Sequence, residues 1–126
     1  MTFNESIHPA THCVFDANTG IKRYKNKNKC EYAFWAQSKA YEVGAAPKVI
    51  RRVDAYAYQT AIAETDFFMR NFRAGVFYNT VFPDLHEKLL PILGNNPWKK
   101  YGPEAIDLGR NNLGLYQGKV VMIDFV

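Results

Sequence analysis

Turn chemistry divides this chain into short segments, and the first turn is the most restrictive. Asp16-Ala17-Asn18-Thr19-Gly20 separates the run Cys13-Val14-Phe15 from Ile21-Lys22-Arg23-Tyr24. Asparagine and glycine tolerate the backbone angles that tight turns demand, so the two runs are predicted to close into a β-hairpin. From 30 to 43 the apolar positions Tyr32, Phe34, Trp35, Ala36, Ala40, Tyr41 and Val43 fit a helix, with Glu31 in its first turn and Gly44 as its stop before Pro47. Segments 48–54 and 55–63 read as two strands that extend the hairpin into a small antiparallel sheet.

The second half is patterned differently. Phe67, Phe68, Phe72, Val76 and Phe77 approach helical spacing and predict a buried helix over 67–81, although Gly75 weakens it. Pro83 suits the first turn of a further helix with Leu85, Leu89 and Leu90 as its stripe, ended by Gly94-Asn95-Asn96-Pro97. Leu113-Gly114-Leu115-Tyr116, the turn Gln117-Gly118 and the strand 119–123 form a second hairpin, preceded by a loop over 107–112.

With 126 residues and 48% hydrophobic content, the chain can build one core but hardly two. It contains no apolar run approaching the roughly eighteen residues that mark a membrane span. The opening Met1-Thr2-Phe3-Asn4-Glu5 lacks the basic and apolar regions of a signal peptide, so a soluble cytoplasmic protein without membrane contact is expected. Cys13 and Cys30 match neither a disulfide framework nor a metal cluster; their spacing leaves a single bridge open, and reduced, buried thiols are the favoured expectation. His8, His12 and His86 show no ligand spacing with them.

The formal charge is +4, and its basic residues are concentrated in Lys22, Arg23, Lys25, Lys27 and Lys29. Such a run attracts phosphates, but Tyr24 is its only aromatic. Without repeated stacking platforms it reads first as a solvated strand end and loop, with direct nucleic-acid binding as the less favoured alternative.

The chemistry is concentrated near the C-terminus. Asp107 and Asn112 lie in one loop, and the strand Lys119-Val120-Val121-Met122-Ile123 runs into Asp124-Phe125. A carboxylate able to accept a hydroxyl proton, followed by an amide oxygen and a second carboxylate able to share Mg²⁺, is the oxygen-rich set that phosphoryl transfer requires.

In that order the elements resemble the protein-kinase-like superfamily, including the compact kinases encoded by some bacteriophages. Asp107-Leu108-Gly109-Arg110-Asn111-Asn112 resembles the catalytic loop D-x-x-x-x-N, and Ile123-Asp124-Phe125-Val126 resembles the D-F-G strand end. Ile21-Lys22 is similar to the strand carrying the phosphate-contacting lysine, and Glu31 to the helix glutamate that pairs with it. Gly44-Ala45-Ala46-Pro47-Lys48-Val49 resembles the passage from that helix into the next strand, and Glu64-Thr65-Asp66 the hinge whose backbone meets adenine.

The resemblance implies an α+β, truncated kinase-like fold in one domain over 1–126. Residues 1–63 would be N-lobe-like, 64–66 hinge-like and 67–126 a shortened C-lobe. This architecture has a small antiparallel sheet, one sheet-packing helix, a short helical part and a C-terminal β-hairpin. It further implies ATP and Mg²⁺ as cofactors. Asp107 would orient and deprotonate a hydroxyl, and Arg110 would assist at the transferred phosphate. Asn112 and Asp124 would hold the metal. Lys22, positioned by Glu31, would neutralise developing charge, and Glu64 and Asp66 would border the adenine.

The departures are equally specific. Residues 1–20 contain no glycine other than Gly20, so a glycine-rich lid is missing from the pattern. Ala105-Ile106 stands at the usual His-Arg position, Val126 replaces the glycine after Asp-Phe, and the activation segment would fall beyond the chain. These losses favour a pseudokinase-like module that binds a protein partner, on the phage analogy an inhibitor of a host enzyme. The second expectation is a minimal Mg-ATP-dependent phosphotransferase acting on a protein or small hydroxyl compound. Trp35, Trp98 and the other aromatics read as core or interface anchors, consistent with an oligomer or a complex.

Overall fold

The computed structural model describes residues 13–65, 82–93, 112–123 and 125. The helix expected over 67–81 and the tryptophan at 98 lie outside these residues, as do four site candidates: Asp66, Asp107, Arg110 and Asp124.

The described protein is α+β. Strands β1 (Cys13–Asp16) and β2 (Ile21–Tyr24) form the predicted hairpin. Its turn closes because Asp16 accepts twice: its carbonyl from the Gly20 amide at 2.8 Å and its Oδ1 from the Asn18 amide at 2.9 Å. Gly20 sits at φ +80 beneath the Thr60 carbonyl, where a Cβ would fall 2.1 Å from that oxygen, so only glycine fits.

Helix α1 (Lys27–Glu42) begins before the expected Cys30 because Asn26 is its N-cap, its side chain accepting from the Asn28 and Lys29 amides. The earlier start removes Glu31 from the first turn, which contains no acid. At the other end the amides of Gly44 and Ala45 return to the carbonyls of Tyr41 and Ala40, a Schellman closure with Gly44 at φ 77. Of the predicted apolar stripe, Tyr32, Ala36 and Ala40 are buried, whereas Tyr41 and Val43 stay exposed.

Strands β3 (Val49–Asp54) and β4 (Ala57–Thr60) complete an antiparallel sheet in the order β1-β2-β4-β3. α1 packs against β2, β3 and β4. Tyr58 lies at the centre of this layer, stacked on Tyr24 with centroids 6.1 Å apart and met edge-on by Phe34 at 5.6 Å.

Helix α2 (Phe82–Leu93) carries Pro83 in its first turn and packs on α1. Its buried stripe is Leu85, Leu89 and Leu93; Leu90, expected in that stripe, is 50% exposed. Positions 85, 89 and 93 repeat every four residues, and 90 falls one step round the helix toward water. Strands β5 (Leu113–Tyr116) and β6 (Lys119–Met122) form the second predicted hairpin. Gln117 and Gly118 both adopt positive φ, the geometry of a two-residue turn matching strand twist. No helix among the described residues is long and apolar enough to cross a membrane.

Candidate functional site: a buried lysine at the end of the second hairpin

Alternation along β2 decides which of its basic residues can act inside the fold. Arg23 points outward and pairs with Asp54 at 3.0 Å, whereas Lys22 and Tyr24 face α1 and are buried. A buried ammonium must replace the hydrogen bonds that water would supply. Lys22 Nζ donates to Gln37 Oε1 on α1 at 3.2 Å and to the backbone carbonyl of Ile123 just beyond β6, and it lies 5.7 Å from the Tyr58 ring centroid.

Gln37 is fully buried and uses both ends of its amide. Its Oε1 also accepts from the Tyr58 hydroxyl at 2.7 Å, while its Nε2 donates to the Pro47 carbonyl at 2.9 Å and to Thr60 Oγ1 at 2.6 Å. One side chain therefore joins β2, β4, the connection into β3 and, through Lys22, the second hairpin.

Glu31 does not take the lysine. It pairs with Arg52 of β3, which also donates to the carbonyls of Asp54 and Ala55 and lies 5.1 Å from the centroid of the Phe34 ring. The expected Lys22–Glu31 pair is thus replaced by two separate contacts, Lys22–Gln37 and Arg52–Glu31. The reason is rotational. Position 37 lies on the buried side of α1, whereas 31 lies on its partly open flank.

Asn112 is buried at the entrance to β5, and its carbonyl accepts the Ile123 amide at 3.1 Å. Ile123 thereby connects Lys22 and Asn112 through its own peptide groups and immediately precedes Asp124 in the chain. Phe125, next in line, is fully buried in the core shared by α1 and α2. Lys22, Asn112 and the strand end leading to Asp124 come together, and Glu31 stays outside.

Glu64 is brought to the second hairpin by its backbone. Its amide donates to the Leu115 carbonyl at 2.9 Å, and its carbonyl accepts the Leu115 amide at 2.7 Å. Those groups are therefore committed to a β-bridge instead of an adenine edge. Lys22 and Glu64 thus each meet protein groups of the second hairpin.

No protein-family model matches the chain, and no curated protein or solved structure does either. The reading of this site therefore rests on its own contacts.

Electrostatics around the site are local. Burial pushes the Cys30 thiol up to about 11, and burial likewise moves the Tyr32 phenol up to about 12, so both are neutral core groups. Asp54 is held below its ordinary value, first by the Tyr56 amide and then by Arg23. Away from Lys22, a concavity of about 360 Å³ opens between the end of α1 and the second hairpin, bordered by Tyr41, Glu42, Tyr116, Lys119 and Val121.

Gln37, Tyr58 and Thr60 were not legible as site residues. A glutamine within a lysine-rich helix reads as solvated until the packing of that helix is known. The alternation of β4, which places Tyr58 and Thr60 on the face of Lys22, was the only signal available.

Proposed function

We propose that this chain is a kinase-like protein-interaction module in which the kinase-type lysine serves as a structural tie. The observation that carries this reading is the neutral Gln37 at the lysine's helix-side contact, with Glu31 committed to Arg52. A phosphotransferase needs its lysine aimed at phosphates; here the ammonium is aimed at a backbone carbonyl. On the phage resemblance, the partner is a host protein met in the host cytoplasm.

The meeting of Lys22, Asn112 and the strand end before Asp124 favours a second reading, a minimal Mg-ATP-dependent phosphotransferase. Calorimetry with Mg-ATP and a radiolabel transfer assay separate the two. The module reading expects neither binding nor transfer by the parent protein, together with a stoichiometric protein complex whose affinity is indifferent to Mg-ATP. Phosphate transfer that disappears in Asp107→Ala and Asp124→Ala, with folding retained, would overturn it.

A further inference from the structure

We infer that Gln37 is a carboxamide-specific latch, holding the second hairpin on the sheet by aiming Lys22 at Ile123, and that an acid at this position would release it. The inference stands on the contacts around Gln37 alone and does not depend on the proposed function.

The surroundings of Gln37 divide into two kinds. On one side stand two donors, the Lys22 ammonium and the Tyr58 hydroxyl; on the other stand two acceptors, the Pro47 carbonyl and Thr60 Oγ1. Thr60 Oγ1 also lies 3.3 Å from the Lys48 carbonyl and 3.0 Å from that of Ala61, so its own proton has acceptors already. Only a group with an oxygen at one end and an NH₂ at the other satisfies both sides.

A carboxylate at 37 would add an opposite charge beside Lys22. It would also set a bare oxygen against the Pro47 carbonyl and force Thr60 to turn its proton away from the Lys48 and Ala61 carbonyls toward the new oxygen. Inside a buried cluster, the unmet Pro47 carbonyl facing a carboxylate oxygen outweighs an ion pair whose lysine is already hydrogen-bonded. The fold therefore selects an amide where simple charge logic would choose an acid.

The consequence reaches the second hairpin through Lys22. β6 is paired with β5; beyond this tie, the Met122 amide bonds the hairpin to the Ala45 carbonyl at 2.9 Å, and the Ile123 amide closes the hairpin on the Asn112 carbonyl at 3.1 Å. The Met122 amide reports on the attachment of the hairpin, and the Ile123 amide on the peptide group next to the one Lys22 holds. The Tyr24 amide, bonded to the Tyr56 carbonyl at 2.7 Å, serves as an internal reference within the sheet.

The test is amide hydrogen exchange and thermal unfolding on the full chain carrying Gln37→Glu, Gln37→Leu or Lys22→Met. Each variant is expected to speed exchange at Met122 and Ile123 by about tenfold or more relative to Tyr24. Gln37→Glu is further expected to unfold at a lower temperature than the parent near neutral pH. That gap should narrow under acid, where protonation restores one donor. Unchanged exchange at the two reporters, or equal acceleration at Tyr24, would overturn the latch. So would a Gln37→Glu protein more stable than the parent. If Gln37→Glu does not fold, Lys22→Met still decides, since it removes the tie and keeps the amide.

Discussion

Arg52 and Lys22 show how a single side chain's surroundings determine what its charge is worth. Arg52 is partly open and gathers Glu31, two carbonyls and the Phe34 ring, so its contribution is as much geometric as electrostatic. Lys22 is buried, and its hydrogen bonds to Gln37 Oε1 and the Ile123 carbonyl make it a positioned donor. Asp54 offers a measurement at this scale. Its folded pKa is depressed, so its stabilising contribution is present above the ordinary carboxylate value and is lost as pH falls through the lower folded value. Asp54→Asn is therefore expected to unfold below the parent in melts near pH 6, and the difference should vanish as pH drops below about 4. A difference that stays constant with pH would show that the Tyr56 and Arg23 contacts do not depend on the charge.

Elements in this chain form where local chemistry is explicit. Both hairpins were legible because Asn18 and Gly20 in one turn, and Gly118 in the other, impose turn geometry whatever lies around them. The start of α1 was misplaced because Asn26 lies within a run of lysines and asparagines, where no apolar period announces a helix. Its role as cap appears only when the Asn28 and Lys29 amides turn toward it. Asn26→Ala should cost about 1 kcal/mol in urea unfolding. Asn26→Asp should match or exceed the parent, because it keeps the acceptor and adds negative charge to a helix start bordered by Lys25, Lys27 and Lys29. The α2 stripe was assigned to the correct helix but with Leu90 in error. Neighbouring leucines point about 100° apart, and only packing on α1 shows that Leu89 turns inward and Leu90 toward water.

The molecule as a whole depends on a few places where distant segments approach closely. Gly114 is one of them: a Cβ there would lie 2.9 Å from the Ala63 Cβ, 3.0 Å from Ile123 Cγ2 and 3.3 Å from the Glu64 carbonyl oxygen. Its lack of a side chain lets the second hairpin reach residues 63–64, beyond β4, and form the Glu64–Leu115 bridge. Gly114→Ala is expected to cost about 1–3 kcal/mol through overpacking. The Glu64 and Leu115 amides should lose exchange protection before those of β1 and β2, and equal loss throughout would show that the bridge is not a separate joint.

By itself, the order of residues settled the α+β class, the two hairpins, the sheet-packing helix and the burial of both cysteines. Each depends on periodicity, turn chemistry or composition, which act over a few neighbouring positions. The partners of Lys22, Glu31 and Glu64 were decided only in three dimensions. A side-chain pair depends on how far a helix is rotated and shifted over a sheet, and that follows from the packing of the whole core, which no short stretch of chain encodes.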